Sequence, residues 1–416
     1  MRSASTSGRA AAWAVPVANE VAVFARSVVL ARFLGAEELG KIMLLALALR
    51  LVEMASDLSV ERLMAQAMDG GTERMQANLQ GFAVLRGAGL ALVLVLLAVP
   101  MSFGFADGPT ALTFAALALA PLLRGFVHLD YRRRERRFDY RGLMVVDGGA
   151  AVAMLVSAPF AAQMVGDHRA FLVVLMVHVA ALVVLSHLVA ERRYQLALEW
   201  GYGLRIWRFG APLIVNAGLM FLTFQADRLI VAGYFGWSEL ALYGVALQLA
   251  LLPAQIAGRA AASLLAPAFR RSLAEDDLAS AAGPALRGYG ALALVFFAGF
   301  GLLAGPFIRA VYGAEFDVTP ALLWALGLAA AIRIARTPVS QLAVSLGKTA
   351  IPMRGNILRA MALVPALGLA MSGHPVHALA LAAAAGEALA ALRAWGLLKP
   401  HLVTTHDSAK PVGASA

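Results

Sequence analysis

Apolar runs of about 20 residues follow one another along the whole chain, and a run of that length crosses the roughly 30 Å hydrocarbon core of a bilayer as a single helix. The predicted ranges are 10–31, 40–61, 79–101, 110–128, 142–164, 169–190, 209–231, 239–263, 287–311, 319–343, 351–371 and 375–397. The longest segments between them, Tyr131–Arg141, Glu191–Arg208 and Arg270–Arg287, are too short to hold a soluble domain. The chain is 61% hydrophobic and 14% charged, against about 45–50% and 25% in soluble globular domains. That balance excludes a soluble fold. The predicted class is an all-α polytopic membrane protein with about twelve transmembrane helices.

Loop charge sets the predicted orientation. Turns after even-numbered runs carry Arg62 and Arg74, then RRRERR (Arg132–Arg137), then Arg192, Arg193, Arg205 and Arg208, then Arg270, Arg271 and Arg287, then Lys348 and Arg354. The turns Phe103–Pro109 and Ser372–Pro375, after odd-numbered runs, have no Lys or Arg. The positive-inside rule therefore places both termini in the cytoplasm. The net charge of +10 follows from this asymmetry and needs no nucleic-acid partner. The first run, interrupted by Glu20 and Arg26, reads as a retained span rather than a cleaved signal peptide.

The chain also echoes itself. ARFLGAEELG (Ala31–Gly40) matches AGYFGWSELA (Ala232–Ala241), each at the turn between two runs. This predicts two parallel six-helix bundles, 1–200 and 201–400, followed by a disordered cytoplasmic tail at 401–416. In the second copy, Asn216, Thr223 and Asp227 share one helix face, as do Gln248, Gln255 and Arg259 on the next run.

Charges inside the runs are the candidate functional groups, because a mid-bilayer Arg or Asp costs about 2.5–3.5 kcal/mol on the lenient insertion scale. They include Glu20, Arg26, Arg50, Glu53, Asp57, Arg86, Asp147, Asp227, Arg228, Arg259, Arg333, Arg336, Arg359 and Glu387. Each must snorkel, pair or line an aqueous cavity. Arg50, Glu53 and Asp57 share a face and can pair along it. Arg333 and Arg336 have no acidic partner on their own helix, and the stripe that ends at Arg259 is otherwise glutamine. Asp227, Arg228 and Arg393 lie near run ends, within snorkelling reach of water. A guanidinium-lined cavity suits an anionic substrate, since guanidinium forks grip phosphate oxygens and stay charged at any working pH.

Other chemistries are poorly served. There are no cysteines, which excludes disulfides and thiolate metal sites. GKT at Gly347–Thr349 lacks the upstream glycine and strand of a phosphate-binding loop. His178, His187, His374 and His377 have no metal-ligand spacing, no nucleophile elbow is present, and no cofactor is implied. RRRERR is expected to be a membrane elbow that touches anionic lipid head groups.

The turn ARFLGAEELG, the run FGAPLIVNAGLMFLTFQADRLIVAGYFG, ALYGVALQLALLPAQ, LLAPAF (Leu264–Phe269) and SLGKTAIPMRGN (Ser345–Asn356) resemble the polysaccharide (O-antigen) flippases. These belong to the multidrug/oligosaccharidyl-lipid/polysaccharide exporter superfamily, and the resemblance covers nearly the whole chain. It implies two six-helix bundles around a central cavity lined mainly by helices 1, 2, 7 and 8. It also implies a transporter, not an enzyme, that turns a polyprenyl-diphosphate-linked oligosaccharide across the bacterial inner membrane for O-antigen, capsule or exopolysaccharide synthesis. On that reading Arg26, Arg50, Arg259, Arg333 and Arg336 bind the diphosphate or acidic sugars, and Glu20, Asp57 or Asp227 carries a coupling proton or sodium ion. The partners would be the lipid-linked oligosaccharide, membrane lipids, a glycan polymerase and glycosyltransferases. The alternatives are a cation-coupled multidrug exporter of the same superfamily, an integral-membrane glycan polymerase or ligase, and a non-transporting component of a glycan assembly complex.

Overall fold

A computed structural model describes residues 6–56, 60–105, 107–275, 278–348 and 350–407. The described residues form helices and no strand. Contacts divide the chain into two compact units, Met1–Phe221 and Leu222–Ala416.

The first unit begins with α1 (Thr6–Ala55), broken at Gly35 by a backbone with φ 82° and ψ 179° that a residue with a side chain rarely adopts. Then come α2 (Val60–Gln66), α3 (Glu73–Phe103), the short α4 (Ala111–Ala116) and α5 (Leu119–Arg124), and α6 (Asp130–Arg134). A single 3₁₀ turn, Glu135–Arg137, leads to α7 (Arg141–Leu143), a π turn over Met144–Gly148, α8 (Gly149–Val165) and α9 (Ala170–Leu188). The helix α10 (Trp200–Tyr234) carries the division between the units within it. The second unit continues with α11 (Trp237–Ala274), α12 (Leu278–Tyr312), α13 (Pro320–Ser345), α14 (Ala350–Met361), α15 (Leu363–Met371) and α16 (Val376–Asp407). Residues 408–416 of the expected tail lie outside the described residues.

Among the described residues, seven stretches are long and apolar enough to cross a membrane: α3, Arg141–Val165, α9, α11, α13, and the greater part of α12 and of α16. The protein is a multi-pass membrane protein. The described residues of the remaining predicted ranges are mostly helical too, in α1 on either side of Gly35, in α4 with α5, in α10, and in α14 with α15. Large apolar side chains point outward, among them Leu92 and Leu96 on α3, Leu294 and Val295 on α12, and Leu392 on α16. In water such surfaces would drive aggregation; in lipid they are solvated.

The segments read as loops are shorter than expected, because helix continues past the apolar runs: α11 extends to Ala274 and α12 starts at Leu278. The 191–199 segment is pinned to α3 by buried amides. Gln80 donates to the Gln195 carbonyl at 2.7 Å, the Glu199 N–H donates to Asn78 at 2.8 Å, and Arg74 forks onto the Glu199 carboxylate. The Arg74 fork, followed by the bond that Asn78 Nδ2 donates to Glu199 Oε1 at 3.0 Å, holds the carboxyl well below the usual carboxylate range, at about 2. Arg205 clasps Asp69 at 2.7 and 2.8 Å, and Ile206 is buried with Val60, Leu63 and Met64 of α2 and Met75 and Leu79 of α3. The start of α10 is thereby tied to the first unit.

RRRERR is occupied largely by partners within the protein. Arg133 is buried against Asp130 at 2.6 Å and reaches Glu191 at 3.1 Å, and Arg134 holds Asp139 at 2.8 Å. Arg136 donates to the Met64, Ala65 and Ala67 carbonyls at 2.7, 3.0 and 2.6 Å, covering the open C-terminal end of α2. These arginines brace the loops against one another. The sequence could not show it, because their partners lie up to about 70 residues away.

Candidate functional site

Each unit contains a concentration of arginine and carboxylate side chains at helix depth among its described residues. In the first, a cavity of about 670 Å³ lies among α1, α3, α5 and α8. Arg50, Arg62, Arg86, Arg124 and Arg132 line it with Glu53, Glu61 and Asp147, an excess of two positive charges. The local folding explains the placement. Arg50 and Glu53 fall on one face of α1, and the π turn at Met144–Gly148 carries Asp147 to Arg132 at 3.2 Å. Arg132 also holds Glu61 at 3.3 Å and Glu135 at 3.0 Å, and lies over the Tyr131 ring at 4.9 Å. Arg124 pairs with Glu53 at 3.4 Å. Arg86 donates to Ser56 and to the Glu53 carbonyl, both at 3.2 Å.

Arg50 and Arg62 are exposed and have no partner among the described residues. Two uncommitted guanidiniums in a net-positive cavity form an anion-binding arrangement. Arg26 adjoins it through Met154, a cavity-lining residue. Its Nη1 is 3.7 Å from the Met154 sulfur, its guanidinium lies 5.2 Å from the centre of the Phe171 ring, and its buried Nε has no hydrogen-bond partner. A buried cation supported only by soft, uncharged neighbours is a second unsatisfied demand for an anion.

In the second unit Arg333 and Arg336 do have an acidic partner, supplied by α16. Glu387 lies 3.2 Å from Arg333 Nε, 3.4 Å from Arg336 Nη2 and 2.7 Å from Arg359 Nε on α14. The aromatic ring of Phe224 lies under Arg333 and Arg359, 4.4 and 4.6 Å from their guanidinium carbons. Asp227 is held separately, its Oδ2 accepting the Tyr243 hydroxyl at 2.6 Å and its Oδ1 the Arg228 backbone N–H at 2.9 Å.

Of the residues singled out in sequence, Arg50 lines the cavity, Arg26 adjoins it, and Arg333 and Arg336 converge on Glu387. Glu20 and Arg259 are exposed, with no partner among the described residues. Asp57 and the side chain of Asn216 lie outside the described residues. Sequence reasoning noted Arg86, Arg359 and Glu387 as intramembrane charges without choosing them, placed Arg132 in a loop, and did not single out Arg124. The available signal was charge at helix depth, and nothing in spacing pairs residues on different helices.

The family model described as "Polysaccharide biosynthesis protein" matches residues 29–320, well over half of the chain. The chain belongs to that family. No curated protein matches it. Solved structures share the fold of this family member. One is a multidrug resistance MATE family transporter of the MOP superfamily in an inward-facing conformation, with TM-score 0.71 at 12% identity over 94% of this chain and 96% of that one. Another is the lipid II flippase MurJ in an inward closed conformation, with TM-score 0.70 at 13% identity over 98% and 94%. A third is the Vibrio cholerae MATE transporter VcmN in the bent form, with TM-score 0.51 at 17% identity over 98% and 100%. This member of the polysaccharide biosynthesis family therefore has the fold of MOP-superfamily transporters.

Proposed function

We propose that the protein is a flippase that moves a polyprenyl-diphosphate-linked oligosaccharide across the bacterial inner membrane for surface polysaccharide synthesis. It works by alternating access of two six-helix bundles, with both termini cytoplasmic. The observation that carries this reading is the net-positive cavity of the first unit with Arg50 and Arg62 uncommitted. A diphosphate needs two or more guanidiniums to replace its lost hydration, and the cavity offers them free. The family's link to polysaccharide synthesis and the shared fold with a lipid II flippase support the same direction. A multidrug exporter for cations would need the opposite sign of cavity. Arg26, Arg50, Arg259, Arg333 and Arg336 bind the anionic part of the substrate, and Glu20, Asp57 or Asp227 carries the coupling ion. A glycan polymerase and glycosyltransferases act before and after it.

The test is a deletion strain in which spheroplasts are treated with an impermeant glycosidase. Lipid-linked glycan should accumulate on the cytoplasmic side and be rescued by the wild-type gene. Arg50→Ala with Arg62→Ala, and separately Arg333→Ala with Arg336→Ala, should rescue at least about tenfold less well, each arginine contributing about 1.5–3 kcal/mol to a charged hydrogen bond. Normal outer-leaflet glycan in the deletion strain would remove the flippase reading. Full rescue by inserted arginine variants would remove the assigned binding roles.

A further inference from the structure

The charge cluster of the second unit is out of balance. Three guanidiniums surround one carboxylate near the middle of α13 and α16, leaving two positive charges uncompensated in a site where Arg336, Arg359 and Glu387 are all buried. A buried charge without a partner is among the most costly features a membrane interior can hold. The hydrogen bonding is incomplete as well. Glu387 Oε2 approaches Arg336 Nη2 only to 3.4 Å and accepts no hydrogen bond, and Arg336 Nε is buried with no partner. Apart from Glu387, the cluster has only neutral support among the described residues. Asn356 Oδ1 accepts from Arg359 Nη1 at 2.9 Å, and Phe224 lies against two of the three guanidiniums. Glycine keeps the surroundings close and open: a Cβ at Gly386 would fall 2.6 Å from the Ala362 Cβ, and one at Gly355 would fall 3.2 Å from Arg336 Nη1.

We propose that Arg333, Arg336 and Arg359 form a binding site for a diphosphate group, and that Glu387 is an internal anion that occupies this site until the ligand displaces it. A carboxylate brings one charge and two oxygens. A diphosphate esterified at both ends brings two charges and four non-bridging oxygens, so it meets more of the charge and more of the donors of the three guanidiniums than the carboxylate does. Glu387 therefore holds the three arginines together in the empty protein and competes with the ligand in the same site. Phe224 keeps Arg333 and Arg359 stacked while the carboxylate leaves. The inference deepens the flippase reading by adding Arg359, Phe224 and a built-in competitor. It differs from a purely architectural role for Glu387 in one consequence: neutralising Glu387 strengthens anion binding instead of abolishing it.

The test uses the full-length protein purified in phosphate-free detergent and titrated calorimetrically with inorganic pyrophosphate and with farnesyl diphosphate. Glu387→Gln should bind pyrophosphate at least about tenfold more tightly than wild type, because the occluded state no longer taxes the affinity. It should also melt lower than wild type without anion and regain more of its melting temperature when pyrophosphate is added. Glu387→Asp, which keeps the charge on a shorter arm, should fall between the two. Tighter binding of farnesyl diphosphate than of pyrophosphate assigns the site to a lipid-linked ligand, and equal binding assigns it to a free one. If Glu387→Gln is folded and binds no more tightly than wild type, the competition is wrong. If Glu387→Gln is not recovered even in pyrophosphate and Glu387→Asp binds no more tightly than wild type, the carboxylate is architectural. Failure here with normal glycan export in cells leaves the flippase reading standing. Tight pyrophosphate binding in a protein whose deletion leaves glycan export unchanged does the reverse.

Discussion

The two hairpins that repeat in the sequence have the same backbone and different chemistry. Gly35 has φ 82° and ψ 179°, and Gly236 has φ 87° and ψ 177°. Four residues on, Leu39 and Leu240 are each 1% exposed. Nine residues before each glycine, however, stands Arg26 in one copy and Asp227 in the other. Arg26 is left with a thioether and an aromatic ring, whereas Asp227 is satisfied by Tyr243. The fold retains the features that close a helical hairpin, a left-handed glycine and a buried leucine. The charges at equivalent depth are free to diverge, and the charged sites of the two units differ accordingly. The first is an open cavity in which Arg132 has three carboxylates, and the second is a closed cluster in which three arginines share one.

The most forceful way to break that contrast is to remove one carboxylate from each site. Glu387→Ala leaves three guanidiniums without any anion, and breaking a buried pair of this kind costs about 4 kcal/mol. Asp147→Ala leaves Arg132 with Glu61 and Glu135, so the loss should be about 1 kcal/mol. Reversible unfolding in SDS and lipid micelles, in phosphate-free buffer, measures both. Equal losses would mean that the two sites are not open and closed in the sense drawn here.

The membrane class, the helical ranges and the repeat were legible because they rest on local pattern: apolar length, loop charge and a short motif around glycine. The sites were legible only in part. Arg50, Arg333 and Arg336 stand out as charges at helix depth, but Glu387 and Arg359 meet them from other helices, and no periodicity on one helix reports that. The bracing role of RRRERR was hidden for the same reason. Arg136 acts on the carbonyls of Met64, Ala65 and Ala67, and the sequence offers no sign that a helix end lies there.

Replacing the repeated glycine tests the shared part of the comparison. Gly35→Ala and Gly236→Ala each force a side chain into a left-handed backbone, with a cost of about 1–2 kcal/mol. No neighbour lies within 4 Å of a Cβ built on Gly236, so strain alone operates there. The two losses should agree closely if the hairpins are equivalent. A much larger loss at one of them would show that its glycine also provides room for a neighbour.

The smallest effect sharpens the difference between the hairpins. Glu38 and Glu239 occupy matching positions, three residues after each glycine. Glu38 accepts from Lys41 at 2.7 Å and from the His168 backbone and ring at 2.6 and 2.7 Å, whereas Glu239 has no partner among the described residues. Burial pushes the Glu38 carboxyl up, but the bonds from Lys41 and His168 outweigh it and hold the group below the usual carboxylate range. A carboxyl lowered on folding contributes stability above its unfolded pKa and loses it as pH falls through the folded value. Glu38→Gln should therefore cost about 1 kcal/mol at neutral pH and flatten the acid limb of the melting curve. Glu239→Gln should change stability by less than about 0.5 kcal/mol and leave that limb intact. An acid limb unchanged in Glu38→Gln would show that the brace at the first hairpin contributes nothing the second lacks.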